Sequence, residues 1–295
     1  MSGTPYGPGS LAFALRDAVA VLRHAGIDEA PFEARLLAAH ALDTTPAALI
    51  KGPARDLGAD EGERLRALVG RRAGREPMSH LLGRREFWSL EFEVTPDVLD
   101  PRPDSETLIE AVLAARPARE ARHEILDLGT GGGCLLLALL HEYPNARGVG
   151  IDISAAAITI AARNAARLKL ASRASFRTGD WGGALAARFG IIVANPPYIR
   201  SAAIASLQPE IARYEPRIAL DGGSDGLDSY RRAAPEIARL LSDDGIAFAE
   251  VGVGQDVEVT QIFLANGLDI CDRLDDLGGV RRCLVAVRNP KLTVV

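Results

Sequence analysis

Several things are scarce in this chain of 295 residues, and each scarcity removes a class of function. Cysteine occurs three times, as Cys134, Cys271 and Cys283, widely spaced and with no CxxC pair. A disulfide framework or a cysteine zinc site is thereby excluded, and a reducing cytoplasm fits. The five histidines, at 24, 40, 80, 123 and 141, form no HExxH-type pair, so no metal is expected. No apolar run approaches the ~20 residues that span a bilayer, so no membrane association is expected. Basic residues are not in excess: 34 Lys and Arg stand against 39 Asp and Glu, a net charge of −5. Coating nucleic acid leans on neutralising phosphates, so direct nucleic-acid binding is not required of this chain. Internal repeats are absent, and low-complexity sequence does not extend beyond alanine-rich helices. Met1 to Gly9, rich in Gly and Pro, lacks a basic start followed by an apolar block and reads as a loose tail, not a signal peptide.

What remains is ordinary for a folded protein: 47% hydrophobic and 25% charged residues, and a length that suits two domains. The first 80 or so residues read as a helical bundle. Ser10 caps a helix from Leu11 to about Ala25 with Gly26 as its stop, and Leu11, Leu15, Ala18, Val19 and Leu22 share one face. Asp28 and Pro31 open a second helix, Thr45-Pro46 a short third, and Glu63 to Arg72 a fourth. Glu86 to Val94 then alternates like a strand pair, although Trp88 and Ser89 break the alternation. Pro96, Pro101 and Pro103 mark an extended linker. Asp104 or Ser105 is placed to cap a helix ending near Ala115. From His123 short apolar strands near 124–129, 147–153, 174–178, 190–194 and 245–251 alternate with helices near 133–142, 154–169 and 228–241. That rhythm predicts a mostly parallel sheet covered on both faces. Two closing strands, Leu268–Arg273 and Arg282–Val287, are joined by a loop at Gly278-Gly279 too short for a parallel crossover, so one of them runs antiparallel. The expected domains are 1–84, helical; 85–103, hairpin and linker; and 104–295, the sheet domain.

Chemistry concentrates in three places. Ile125 to Gly133 is a strand ending in the turn Gly129-Thr130-Gly131-Gly132-Gly133, followed by a helix. Glycine lets a ligand approach the backbone, and a helix start offers free N–H groups. Asp152, 21 residues after Gly131, ends the next strand, where an acid can accept both hydroxyls of a ribose. A dinucleotide fingerprint would need Gly or Ala at 134, where Cys134 stands. The GxGxG pattern suits a nucleoside without a pyrophosphate, such as S-adenosylmethionine. The second place is Asn195-Pro196-Pro197-Tyr198, directly after the apolar strand Ile191 to Ala194. Two prolines remove backbone donors and hold the chain extended, leaving carbonyls to accept. With the Asn195 oxygen and the flat face of Tyr198, this suits a planar NH2 group. Two acceptors orient its N–H bonds, aim the nitrogen lone pair at a sulfonium methyl, and gain strength as positive charge develops on nitrogen. A rigid loop after a strand is the other reading of the same residues. The third place is Thr178-Gly-Asp180-Trp181, which fits either an adenine contact or a helix cap with a packed Trp.

These segments resemble the protein-(glutamine-N5) methyltransferase family that modifies peptide chain release factors. The likeness runs from about Leu11 to Val287. It is carried by Leu82 to Trp88, Pro101-Arg-Pro-Asp-Ser-Glu106, Asp127 to Cys134, Gly150-Ile-Asp152, Gly179-Asp-Trp181 and Asn195 to Tyr198. It continues through Pro209-Glu, Tyr214-Glu-Pro216, Ala219 to Gly226 and Glu250-Val-Gly252. The resemblance implies an α/β fold: a Rossmann-like, seven-stranded class I methyltransferase domain with a small helical N-terminal domain that docks the release factor. It implies S-adenosyl-L-methionine as methyl donor, S-adenosyl-L-homocysteine as product, and the glutamine of the factor's Gly-Gly-Gln loop as acceptor. Gly129, Thr130, Gly131, Gly132 and Gly133 would cradle the methionine end, Asp152 the ribose, and Asp180 and Trp181 the adenine. Asn195 would also touch the cofactor. Asn195, Pro196 and Pro197 would hold the amide, with Tyr198 as its wall. Three residues depart from the family pattern: Asp100 replaces an apolar residue, Gly190 an Asp, and Ser105 a Thr. Glu106 and Glu250 fit either a substrate or cofactor contact or a packing role.

Two other acceptors share this chemistry, a ribosomal-protein glutamine and the exocyclic amine of adenine (N6) or guanine (N2). Seven Arg against two Glu between Glu63 and Arg85 form the one basic patch, a solvated helix face or a docking surface for which Arg71, Arg72 and Arg75 are the test. A nicotinamide-dependent oxidoreductase is disfavoured by Cys134. Transfer is expected to be direct, without a general base, since the Asn-Pro-Pro-Tyr run carries no His, Asp or Glu.

Overall fold

The computed structural model describes residues 9–51, 55–183 and 185–289. The tail expected over Met1 to Gly9 lies outside them except for Gly9. The described chain forms two units. One runs up to Gly83 and adds Gln208–Tyr214; the other runs from Arg84 to Leu207 and resumes at Glu215.

The first unit is helical. Helices α1 (Leu11–His24), α2 (Ala30–Ala41), α3 (Pro46–Lys51), α4 (Ala59–Ala73) and α5 (Met78–Leu82) enclose a core that includes Leu11, Leu22, Leu37 and Leu65. Ser10 Oγ accepts from Phe13 N–H at 3.3 Å and caps α1, and Gly26 turns the chain at φ 74°. Helix α4 starts four residues before the expected Glu63, because Glu61 reaches back to the Gly58 N–H at 3.0 Å. Helix α5 escaped the sequence reading, being too short for a period to show.

The basic patch is only partly at the surface. Arg72 is buried, its Nε donating to Glu33 Oε2 at 2.6 Å and its Nη1 to Glu210 Oε1 at 2.9 Å. Arg75 Nη2 donates to Glu210 Oε2 at 2.9 Å, and Arg71 is paired with Glu76. Glu210 belongs to α9 (Pro209–Tyr214), whose Tyr214 hydroxyl donates to Gly74 O at 3.0 Å. This segment was expected inside the second domain; it packs with the first unit. Arg72 and Arg75 are therefore spent inside the unit, where reversing their charge would test its folding, whereas Arg71 stays at the surface beside Glu76.

In the second unit β1 (Arg84–Phe87) and β2 (Leu90–Glu93) form an antiparallel hairpin. Trp88 and Ser89, which break the alternation, are its turn, with φ of 51° and 57°. Two consecutive left-handed residues match the twist of a hairpin. Trp88 is held there by its N–H to Glu106 Oε1 (2.8 Å) and its Nε1 to Glu142 Oε1 (2.7 Å). Glu106 thus holds the hairpin turn.

After α6 (Glu106–Ala115) come β3 (Glu124–Leu128), α7 (Cys134–Glu142), β4 (Arg147–Asp152), α8 (Ala155–Arg167), β5 (Ala174–Thr178) and β6 (Phe189–Ala194). Beyond α9 follow α10 (Asp228–Leu240), β7 (Leu241–Glu250), α11 (Asp256–Ala265), β8 (Leu268–Asp275) and β9 (Arg281–Arg288). The sheet has seven strands in the order β5-β4-β3-β6-β7-β9-β8, parallel except that β9 runs antiparallel to both neighbours. Alternate side chains face opposite layers. Ile125, Ile191, Val193 and Phe248 pack with α6 and α7, while Leu126, Ile192, Ala247 and Leu284 pack with α10 and α11. Strand β7 starts earlier than the expected 245. Phe189 pairs with Leu241 while Ile191 pairs with Ile246, so Gly190 sits at an irregularity in the pairing. The chain leaves β3 toward β4 on one side and β6 lies on the other, so the carboxyl ends of β3 and β6 flank the point where strand order reverses, the place where such sheets bind ligands.

A buried arginine stripped of its partners and an exposed one should differ in cost. Arg72→Ala leaves the half-buried Glu33 and Glu210 without their guanidinium and should lower unfolding free energy by about 3 kcal/mol. Arg71→Ala, at an exposed pair, should cost no more than about 1 kcal/mol. Urea unfolding of both variants checks this; equal losses would contradict the assignment.

Candidate active site

The site grows from strand register. Leu128 pairs with Ala194, so the glycine turn and Asn195 leave the sheet side by side. Gly129, Gly131 and Gly133 have φ of 75°, 52° and 84°, a region side chains rarely enter. Gly129 and Thr130 donate to Ile151 O at 2.8 and 2.9 Å, tying the turn to β4. Asp152 accepts from Gly131 N–H at 2.8 Å on one oxygen and from Ser154 N–H at 2.9 Å on the other. Its carboxylate keeps lone pairs on both oxygens.

A cleft of about 200 Å³ opens here. Of the expected residues, Gly129, Gly131, Asp152, Asp180, Trp181, Asn195 and Pro197 line it. Others of the set also have structural tasks. Thr130 Oγ1 donates to the buried Asp127 at 2.7 Å, the Gly132 carbonyl accepts from Asn164 Nδ2 at 2.9 Å, and Gly133 precedes α7 as its cap. Pro196 is buried between two lining residues. Trp181 both lines the cleft and packs against the sheet core, so the two readings of that residue describe one position. Asp180 is ion-paired with Arg232, also a lining residue. Ile153, half exposed in the cleft, was missed, although an apolar residue directly after the acid at the end of β4 was its signal.

Neither expected cap acts as one. Ser105 lies in a 3-10 turn, Pro103–Ser105, with helical backbone angles and no capping bond, and Asp104 pairs with Arg282 at 2.7 Å. The Ser105 hydroxyl goes elsewhere: it donates to Glu250 Oε2 at 2.5 Å and accepts from Asn195 Nδ2 at 3.0 Å. Glu250 Oε1 accepts from the Tyr198 hydroxyl at 3.1 Å, and its backbone carbonyl accepts from the Tyr230 hydroxyl at 2.9 Å. Burial pushes the Glu250 carboxyl up from the ordinary range, against the pull of Ser105, Tyr198 and Arg282. Burial raises the Tyr198 phenol as well. Among the described residues nothing donates to Asn195 Oδ1 or to the Pro196 carbonyl. The Tyr198 carbonyl, expected free, is not: Gln255 Nε2 donates to it at 3.1 Å. Ile199 pairs with the Leu220–Gly222 segment, and a Cβ on Gly222 would lie 2.8 Å from Pro197 O, so only glycine permits that approach.

The Pro-Arg-Pro and Tyr-Glu-Pro segments meet. Glu215 accepts from Asp100 N–H at 3.1 Å and Arg102 Nη2 at 2.8 Å, which brings Pro216 to the cleft wall. Burial pushes the Glu215 carboxyl up to about 7. Asp100, the departure from the family pattern, is buried with its carboxylate 3.8 Å from Arg85 Nε.

A family model described as the methyltransferase small domain matches residues 102–213. The fold resembles the crystal structure of the hMettl16 catalytic domain in complex with the MAT2A 3'UTR hairpin 6 (TM-score 0.57, 14% identity, 77% of this chain and 84% of that one), a likeness of fold alone. The second unit is a methyltransferase domain. A model of the PrmC N-terminal domain matches residues 14–83. The release factor glutamine methyltransferase of Rhodospirillum rubrum is 47% identical over 267 residues, 90% of this chain and 82% of its own. That of Caulobacter vibrioides is 42% identical over 270 residues, 91% and 93% of the two chains. With both of its domains matched, the chain belongs to the release factor glutamine methyltransferase family.

Asp127 gives a pH test of this geometry. Burial pushes its carboxyl up to about 7, with the Thr130 hydroxyl opposing. The folded state therefore holds a proton that the unfolded state releases near pH 4, and this residue's contribution to stability falls as pH rises from about 4 to 7. Asp127→Asn lacks that loss, so its melting temperature relative to wild type should rise between pH 5 and pH 8. A gap independent of pH would refute the buried, proton-holding aspartate.

Proposed function

We propose that this protein transfers a methyl group from S-adenosyl-L-methionine to the side-chain amide nitrogen (N5) of the glutamine in the Gly-Gly-Gln motif of peptide chain release factors, in the cytoplasm. The observation that carries the reading is at Asn195. Its NH2 is spent on Ser105, and its oxygen and the Pro196 carbonyl remain as acceptors beside the cleft. A planar amide with two N–H bonds is the group such a pair of acceptors suits.

The cleft residues fit the methyl donor. Gly129 and Gly131 form a cradle without side chains, Asp152 has lone pairs for two hydroxyls, and Ile153 and Trp181 offer apolar surface for an adenine. When bound, the donor supplies an electrophilic methyl on a sulfonium. The chain's own residues do the rest. Asn195 Oδ1 and Pro196 O accept the two amide N–H bonds and favour a pyramidal nitrogen. Their bonds strengthen as that nitrogen gains positive charge, so they stabilise the transition state more than the ground state. Tyr198 borders the same loop and Pro197 keeps it extended. No general base is assigned: the Glu250 carboxylate is held by two hydroxyls, and the methylated amide gives its proton to water. The helical unit serves to dock the release factor; Arg72, being buried, is not part of that surface.

Incubation with S-adenosylmethionine and an unmodified release factor, followed by peptide mass spectrometry, should find one methyl on the glutamine of Gly-Gly-Gln. Asn195→Ala should lower kcat on the order of 10²-fold or more. Transfer only to a ribosomal protein or to nucleic acid would keep the chemistry and discard the partner.

A further inference from the structure

We infer that Glu250, acting through Ser105, sets which way round Asn195 presents its carboxamide, and that both are positioning residues for methyl transfer. The inference rests on the reading of the site given above.

A carboxamide is nearly symmetric in shape. Half a turn about its last bond exchanges oxygen and NH2 with almost no change in volume. For this site the two states are opposites. With oxygen toward the cleft, Asn195 accepts an N–H from the substrate amide; with NH2 there, it presents donors to a donor. Packing does not distinguish the two orientations, so hydrogen-bond direction must.

That direction is traceable to one group. Each Glu250 carboxylate oxygen accepts from a hydroxyl, Oε2 from Ser105 and Oε1 from Tyr198, and a carboxylate so engaged offers no proton of its own. The Ser105 hydroxyl has a single proton and lies 2.5 Å from Glu250 Oε2, a separation typical of an O–H on a carboxylate. With its proton committed there, Ser105 meets Asn195 only as an acceptor. Asn195 must then turn Nδ2 to Ser105, at 3.0 Å, and its oxygen away. Glu250 is itself pinned. The Tyr198 hydroxyl holds its other oxygen, the Tyr230 hydroxyl holds its carbonyl, and the next residue, Val251, donates to Arg282 O at 2.8 Å. The fold supplies the meeting. Ala194 pairs with Ala249, so Asn195 and Glu250 emerge as neighbours from adjacent strands. Ser105 is carried between them by the turn that precedes α6.

The relay makes four linked demands. Ser105→Ala removes the link and should lower kcat about 10- to 100-fold, the worth of one buried hydrogen bond. The KM for the acceptor should change much less. Ser105→Thr keeps the hydroxyl and should restore most of kcat. Glu250→Gln keeps the shape but introduces a donor. Its single oxygen cannot serve both hydroxyls: when that oxygen faces Tyr198, Ser105 is released to donate to Asn195, and kcat should fall, by less than in Ser105→Ala. Because both act on one amide, the double variant should be no slower than the slower single one.

The experiment measures kcat, KM and melting temperature for wild type and these four variants, with the methyl acceptor that wild type is found to modify. S-adenosylhomocysteine binding is measured alongside as a control that should not move. Low kcat in Ser105→Ala with recovery in Ser105→Thr, and a non-additive double variant, is the expected result. Wild-type kcat in Ser105→Ala, or multiplying losses in the double variant, overturns the relay. Should Glu250→Gln melt far below wild type, the Ser105 pair decides by itself. Failure of wild type to methylate a glutamine would instead strike the functional reading above.

Discussion

The site depends on the register of three neighbouring parallel strands. Leu128, Ala194 and Ala249 stand in one row across β3, β6 and β7. The residues one step beyond that row are Gly129, Asn195 and Glu250: the start of the glycine turn, the side chain proposed to hold the amide and the carboxylate behind it. A slip of one residue in any strand would reverse its faces, exposing apolar side chains and burying others in the wrong layer. The two apolar layers thus hold the register, and the register holds the chemistry.

Around that row the loops are clamped more than they are flexible. The Asn-Pro-Pro-Tyr segment is stiff at its prolines, paired through Ile199 to the Asp-Gly-Gly segment, and held at the Tyr198 carbonyl by Gln255. Gly222 permits the close approach, and Glu215, bound by Arg102, holds the adjoining Pro216 against the cleft. Segments far apart in the chain are thus tied to one loop. Ordering this loop is settled on folding, so little of a ligand's binding free energy is diverted to it.

The parts legible in the sequence were those written by local pattern. The strand rhythm, the antiparallel closing pair, the glycine turn and Asn195 to Tyr198 at a strand end all follow from short-range periodicity and from residues whose backbone preferences are strong. The misses share one cause, a partner distant in sequence. Ser105 looks like a cap and is claimed by Glu250; Trp88 and Ser89 show as the break in a strand pair, but nothing local tells that Glu106 and Glu142 hold Trp88 there. Arg72 and Arg75 look like surface residues until Glu33 and Glu210 are brought to them. Polar side chains on such residues are satisfied by whatever the fold delivers, and a one-dimensional pattern does not record the delivery.

Glu210 also bears on how the molecule is made. The buried Arg72 belongs to the helical unit, yet one of its two carboxylate partners is 138 residues further along. At ribosomal rates of about 5–20 residues per second, that partner follows on the order of ten seconds later. The helical unit therefore does not finish as an independent early product of synthesis. It keeps an unfilled place for a segment that arrives only after most of the sheet's parallel strands have been made, so completion of the first unit is coupled in time to the second.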